Sequence, residues 1–557
     1  IKTLLTAPGQ PFEIEEITLN GNSVKSWKNA ASSLPAMLEA SKAFGDRDYI
    51  VYQDERLSYA EHYRQVARLA NHLVDRYGLN KGDRVALAMR NYPEWSVAFW
   101  AATAAGAIVV PMNAWWTSSE MEYGLSDAGC VVAIVDEERL QRIQAIECGL
   151  PLQHLLATRC KDLPEGVDDL APLLTEGNDT SLPGLDLAPE DDATLFYTSG
   201  TTGFPKGTLG THRNFCSAPL SGQYLGVLGM LRSGAGLEEL AAMANSRPVA
   251  LLPVPLFHVT GCQGLMASMF SSGGTVVMMY KWDPAVAADL IAEEGITAFA
   301  GVPAMTRQLI DLPDIEQRDL SSLTAIASGG ASVPPEQFRR MKSALTNAGV
   351  TNGYGITETS SIISSIGGLD YQAKPESAGP SAAVCDVKVI GDGGAEVPTG
   401  ELGEFWVRGP NVVKGYWNRP DATAEAFVNG WYRTGDIGRL DEDGFLYIVD
   451  RIKDMIIRGG ENIYCAEVEA AISEHDQVNA ACVFGIPDEV LGEQVAAVVE
   501  ILPKSGLTEE DLRSFVAAKM ASFKIPAKIW FHDEPLPLGA TGKVQKKELR
   551  ALYVEEK

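Results

Sequence analysis

The sequence predicts an α/β protein: a large region of doubly wound sheets with helices on both faces, then a small β subdomain, then a compact α+β unit. Three observations predict it. Up to about residue 380, strand-length apolar runs alternate with helix-length runs in βαβα order, the pattern of a parallel sheet covered on both faces. From about 380 to 450 the runs shorten between turn signals, as in a β subdomain. From 453 onward helices and strands mix again. A chain of 557 residues is long enough for more than one domain, and we divide it into 1–452 and 453–557.

The elements follow in order. Residues 1–45 are loosely patterned and end in a helix-like run at 34–43. Residues 59–75 carry apolar positions at helical spacing. Strand 84–88, helix 93–105, strand 108–111, helix 118–127 and strand 131–135 alternate. The acidic, proline-rich stretch 162–189 reads as a surface excursion, and 193–197 as a strand. Residues 216–247, rich in Gly, Leu, Ala and Met, read as a helix and a loop. Strand 274–279 precedes a helix over 283–294 with Asp283 as N-cap, then strand 296–300. Strand 323–328 precedes a helix over 334–345 opened by prolines. In the β subdomain, strands 384–390, 403–408 and 431–434 lie between the turns 391–394 and 441–444. The last unit reads as helix 467–475, strands 480–484 and 494–500, helix 509–520 and strand 528–531.

Net charge is −27, which argues against a nucleic-acid partner, because that affinity rests on Lys and Arg neutralising phosphate. Eight cysteines are scattered without a CxxC pair. That signals neither a zinc site nor a redox pair, and it fits a reducing cytoplasm. The opening residues show no secretory signal pattern. Two stretches, 95–112 and 248–280, carry no Asp, Glu, Lys or Arg. Gly106 and Pro111 interrupt the first; Pro253, Pro255, Gly261, Gly264 and the Gly273–Gly274 pair interrupt the second. A spanning helix needs about 20 continuous apolar residues, so both are expected to be buried core, with no integral membrane segment.

The chemistry is expected around Tyr197-Thr198-Ser199-Gly200-Thr201-Thr202-Gly203-Phe204-Pro205-Lys206-Gly207. Three glycines, four hydroxyl side chains and one lysine follow a strand here. Glycines let the backbone turn tightly and approach a ligand. Successive N–H groups in such a turn form an anion-binding concavity, and Lys206 adds a charge suited to phosphate. The loop is neither GxxxxGK[ST] nor GxGxxG; it reads as a cradle for a nucleoside triphosphate. Ser328-Gly329-Gly330-Ala331 and Asn352-Gly353-Tyr354-Gly355-Ile356-Thr357-Glu358 come at strand ends, where α/β sheets place ligands. Their glycines allow a flat base to lie on backbone, and Tyr354 offers a ring. Thr357 offers a hydroxyl to the α-phosphate. Glu358 offers a carboxylate to Mg²⁺, or else an ordinary helix N-terminal charge. Asp436, in Tyr432-Arg433-Thr434-Gly435-Asp436, could accept from both ribose hydroxyls or simply cap a turn. His258, in Leu256-Phe257-His258-Val259-Thr260-Gly261, would by itself more often be a satisfied core residue.

Together, and in this order, these motifs resemble the adenylate-forming superfamily of acyl- and aryl-CoA synthetases, peptide-synthetase adenylation domains and beetle luciferases, over nearly the whole chain. The resemblance implies ATP, Mg²⁺ and coenzyme A, and a mobile C-terminal lid. It assigns Asp436 and Arg451 to the ribose and Lys453 to the hinge. Arg458, Gly459 and Gly460 would line the pantetheine tunnel. Lys543, in Thr541-Gly542-Lys543, would be the adenylation lysine. His258, Val259, Val302 and Gly330 would border the acyl group, and Thr198 and Glu358 the metal. Relatives often carry proline at the position of Cys465, so loop rigidity there is open. Lys546, Lys547 and Arg550 are expected to be helix-surface charges. The implied activity is AMP-forming ligation of an apolar carboxylic acid, fatty or aromatic, to CoA. The alternative is a stand-alone enzyme loading a carrier protein. A homodimer is the assembly to test; no residue pattern fixes it.

Overall fold

The computed structural model describes all residues except 148, 178–179, 199–204, 331–334, 503–504, 533, 540–541 and 556–557. Among the described residues, two eight-stranded sheets form the large region. The first runs, edge to edge, Gly415–Tyr416, Lys206–Thr211, Asp192–Thr198, Ile108–Pro111, Arg84–Ala88, Val132–Asp136, His154–Thr158, Val167–Asp169. The second runs Ser364–Gly367, Gly349–Tyr354, Ala325–Gly329, Ala298–Gly301, Val249–Leu252, Thr275–Met278, Asp48–Tyr52, Glu55–Ser58. Both are parallel in the middle and antiparallel at an edge, so the doubly wound expectation holds with antiparallel hairpins added at the rims.

The helix Pro93–Ala104 is apolar nearly all round, which suits a helix buried on every face. Trp95, Phe99 and Trp100 are fully buried. Trp100 stacks on Phe270, ring centroids 4.3 Å apart, so the two uncharged stretches meet in one core between the sheets. Among the described residues no helix is long and apolar enough to cross a membrane.

A six-stranded sheet over Gly379–Pro380, Asp386–Ile390, Gly403–Arg408, Phe427–Val428, Trp431–Leu440 and Phe445–Arg451 forms the β subdomain. After it, Ile456–Arg458, Glu461–Ile463, Val478–Asp488, Gly492–Ile501 and Lys528–His532 build a separate sheet. The helices Cys465–Ser473 and Glu509–Ala517 pack their Val468, Ile472, Leu512 and Val516 against it.

Two expectations are corrected. The stretch 162–189 is not only a surface excursion: Val167–Asp169 adds a parallel edge strand. Asp169 then caps the helix Leu170–Thr175, which buries Leu170, Leu173 and Leu174. Three leucines in a polar stretch were enough to anchor it. Residues 216–247 form the end of one long helix, His212–Arg232, which accommodates Pro219, and a second helix, Leu237–Asn245, with no buried residue.

Candidate active site

In the second sheet Gly301 pairs with Ser328, and Gly329 with Gly353, in parallel register. The chain therefore leaves three adjacent strands at one edge, at Val302, Gly330 and Gly355, the edge where such sheets hold ligands. A Cβ added at Gly355 would fall 1.6 Å from the Ser361 carbonyl oxygen. The turn can be this tight only with glycine, and Ser360 and Ser361 take left-handed φ of 51° and 87°. Such backbone persists where the surroundings over-determine it. We predict that Gly355→Ala costs about 3 kcal/mol of stability by overpacking. It should also displace Thr357 and Glu358, which follow in the 3-10 turn Thr357–Thr359. A melting curve unchanged from the parent, with full ATP turnover, would contradict this.

Tyr354 ends its strand with its hydroxyl donating to Asp436 Oδ2 at 2.6 Å. Arg451 Nε donates to Asp436 Oδ1 at 3.2 Å. Asp436 and Arg451 are cross-strand partners in the β subdomain, so one sheet presents both. The Asp436 side chain is 5% exposed and held on both oxygens, which fixes its orientation. The Tyr354 ring packs in an apolar cluster with Ile363 and Phe405, leaving little surface on which a base could stack; its clearest contact is the one with Asp436. Asn352 and Gly353 precede it in the same strand.

Thr198 and Lys206 face each other across the antiparallel hairpin, and the Thr198 hydroxyl donates to the Lys206 carbonyl at 3.3 Å. The loop between them, with the expectations for Ser199, Gly200, Thr201, Thr202 and Gly203, lies outside the described residues, as does Ala331. Lys206 Nζ stands 5.2 Å from the centre of the Tyr416 ring, and the Tyr416 hydroxyl donates to Glu358 Oε1 at 2.9 Å. Burial raises the Glu358 pKa, against the Tyr416 hydrogen bond. Tyr416 thus joins Lys206 on the first sheet to Glu358 beyond the second. Asn411 holds the same junction, its amide donating to the carbonyls of Thr359 and Ile362 at 3.1 and 3.0 Å. Sequence reading missed both residues. The one local signal is the Gly415-Tyr416-Trp417 run after a polar turn.

A partly buried carboxylate with one oxygen accepting from Tyr416 is a fitting ligand for Mg²⁺, which prefers oxygen and keeps waters and phosphates as its other ligands. Among the described residues no cluster of three or more His, Cys, Asp or Glu could hold a metal by itself. Glu358 suits a cation shared with phosphate rather than an all-protein cage.

The C-terminal unit reaches this edge. A Cβ added at Gly330 would lie 4.0 Å from Lys543 Cε and 3.8 Å from Val302 Cγ1. One added at Gly542 would fall 2.4 Å from Val302 Cγ2, so Gly542 lets the lid approach closely. Arg307 donates to the Asn479 carbonyl across the same contact. Burial, then the charge of Arg451 and more weakly that of Lys453, lowers the Lys543 pKa to about 8, against Asp436 and Glu358. Burial, with the Lys543 charge, lowers His258 to about 4. His258 Nδ1 accepts from the Thr260 backbone N–H at 3.2 Å. The ring is therefore neutral with its proton on Nε2, ready to donate. Val259 and Val302 are buried.

Lys453 is exposed, in the turn where Asp454 and Met455 donate to the Arg451 carbonyl. Gly459 and Gly460 are exposed and Arg458 partly so, at the tip of a lid hairpin away from Gly330. The structure thus brings Lys543 to the strand ends and leaves the expected tunnel segment outside. Cys465 is buried and donates to the Asp454 carbonyl at 2.9 Å. Lys546 is not the free surface charge expected: its side chain is 31% exposed, and its ammonium pairs with Glu469 on the lid helix Cys465–Ser473.

The profile of the AMP-binding enzyme family matches residues 38–417, and that of the AMP-binding enzyme C-terminal domain matches 467–543. A feruloyl-CoA synthase from Amycolatopsis sp is 36% identical over 497 residues, covering 89% of this chain and 94% of its own. A long-chain-fatty-acid–CoA ligase from Mycobacterium tuberculosis is 34% identical over 503 residues, covering 90% and 94%. The solved anthranilate CoA ligase AuaEII, in complex with anthranoyl-AMP, superposes with a TM-score of 0.84 at 27% identity, covering 93% of this chain and 97% of that one. With the family's main and C-terminal profiles matched in sequence along one chain, this protein belongs to the AMP-binding enzyme family, the adenylate-forming ligases.

Proposed function

We propose that the protein is an AMP-forming ligase that joins an apolar carboxylic acid, aromatic or fatty, to coenzyme A. The observation that supports it most directly is Lys543 standing beside Gly330 and Val302, a lid cation at the edge where nucleotide and acid would meet. A carboxylate oxygen attacks the α-phosphorus of ATP, and pyrophosphate leaves with the electron pair of the broken bond. Negative charge concentrates in that step, and positioned cations stabilise it. Lys543 and Lys206 supply such charge. Asp436, oriented by Tyr354 and Arg451, takes the ribose hydroxyls, and the His258 Nε2–H donates toward the bound acyl group. Glu358 would hold Mg²⁺, which when bound would neutralise phosphate charge. Lid rotation about Lys453 then removes Lys543 and brings in Arg458, Gly459 and Gly460. The CoA thiolate attacks the acyl carbonyl, and AMP leaves.

The relatives take ferulate and long-chain fatty acids by name, and buried Val259 and Val302 suit either kind of tail. Pyrophosphate release over a panel of hydroxycinnamic, benzoic and fatty acids tests the reading, with CoA or a carrier protein as acceptor. We expect acid-dependent pyrophosphate and CoA-dependent AMP. No nucleotide consumption with any acid would defeat the proposal, and transfer to a carrier but not to CoA would replace it. We place the enzyme in the cytoplasm, where its described cysteines, all unpaired, stay reduced.

A further inference from the structure

Lys546 lies three residues after Lys543 and opens the helix Lys546–Arg550. Its ammonium is 2.8 Å from Glu469 Oε1 and donates to the Val483 carbonyl at 3.0 Å. The same Glu469 oxygen accepts from the Val483 N–H at 2.9 Å. Glu469 sits on the lid helix Cys465–Ser473 and Val483 inside the lid strand Val478–Asp488. Burial opposes the Lys546 charge, but Glu469 outweighs it and lifts the pKa above the ordinary lysine value.

This clamp closes the base of a small loop. Leu538 bridges Val544, Gly539 N–H donates to the Lys543 carbonyl at 2.8 Å, and Gln545 N–H donates to the Pro537 carbonyl at 2.9 Å. Leu549, one turn along the helix, is fully buried against the lid. Lys543 projects from the turn of this loop toward Gly330. These bonds join the loop's described flanks, and the Lys546 ammonium adds a charged tie to the lid.

We propose that Lys546, held by Glu469, is the positioning residue for Lys543. It ties the segment carrying that cation to the lid core, so that closing the lid delivers the charge to one place. The inference rests on reading Lys543 as the adenylation lysine. It makes the clamp matter to acyl-adenylate formation and not to thioester formation, in which Lys543 has left the site.

The test measures both half-reactions in the full-length enzyme: pyrophosphate release without CoA, and thioester formation from synthetic acyl-AMP and CoA. Lys546→Met should lower kcat for adenylation by about 100-fold, the cost of a misplacement on the order of an ångström. The KM for ATP and the thioester half-reaction should stay near the parent values. Glu469→Gln, which keeps an acceptor for the Val483 N–H, should act in the same direction. Lys546→Arg should recover most of the rate, and the double variant Lys546→Met/Glu469→Gln should be no worse than Lys546→Met alone. Equal loss of both half-reactions would reduce the clamp to lid stability and overturn the inference, as would an unchanged adenylation rate. Lys543→Ala run alongside separates the two readings. If it keeps adenylation, the assignment of Lys543 fails; if it loses adenylation while Lys546→Met does not, only the positioning inference fails.

Discussion

Lys543→Ala should lower the rate of acyl-adenylate formation by about 10³-fold, the upper range for removing one preorganised charge from a transition state. Thioester formation from supplied acyl-AMP should stay near the parental rate. The asymmetry follows from placement: Lys543 stands beside Gly330 in this lid pose, and the Gly459 turn does not. The same placement gives a pH signature. Burial lowers the Lys543 pKa to about 8, so in the free enzyme the side chain is a cation below that pH and neutral above it. The kcat/KM for adenylation should therefore fall as pH rises through about 8, while the thioester half-reaction shows no such limb. Between about 8 and the ordinary lysine value the unfolded chain holds more protons than the folded one, so this residue's contribution to stability rises with pH. Closing the lid without nucleotide thus carries a desolvation cost, which triphosphate charge would offset. In Lys543→Arg the limb should vanish, because guanidinium stays charged. A profile with the same limb in that variant would assign the titration to another group.

Much of this fold is readable from the chain, for local reasons. The helix over 59–75 shows strong apolar periodicity and a Ser58 cap, and its observed bounds match the expectation. The strand Gly403–Arg408 is likewise as expected. What escaped reading depends on contacts between distant residues. Tyr416 meets Glu358 across 58 positions, and Asn214 holds the Pro410 carbonyl across 196; no local pattern announces either. The edge strand Val167–Asp169 was hidden because its register is set by its neighbour His154–Thr158 rather than by its own composition. Lys546 misled for the same reason. A lysine at a helix start reads as solvated until the fold brings Glu469 beneath it. The motifs at the strand ends were readable because glycine, hydroxyl and carboxylate cluster within a few residues there, whereas the orientation of Asp436 by Tyr354 exists only in the folded chain.

That orientation sets the second large effect. Asp436→Ala should lower kcat/KM for ATP by about 10³-fold, because a site built to bind substrate hydroxyls loses its acceptor. It should also leave the Tyr354 hydroxyl without its partner, at about 1–3 kcal/mol for a buried polar group. The two consequences separate with 2′,3′-dideoxy-ATP. In the parent enzyme the analogue should be poorer than ATP by a similar factor, since both hydroxyls that Asp436 would accept from are gone. In Asp436→Ala the two nucleotides should be used alike, because hydroxyl and carboxylate form one interaction and removing either removes it. Tyr354→Phe, which keeps the ring and removes the 2.6 Å bond to Asp436, should fall between. Its carboxylate remains, paired with Arg451, but is free to turn. If Asp436→Ala still prefers ATP over the dideoxy analogue as strongly as the parent, the ribose is held elsewhere, and the Tyr354–Asp436–Arg451 cluster is only a brace between the strand end and the β subdomain.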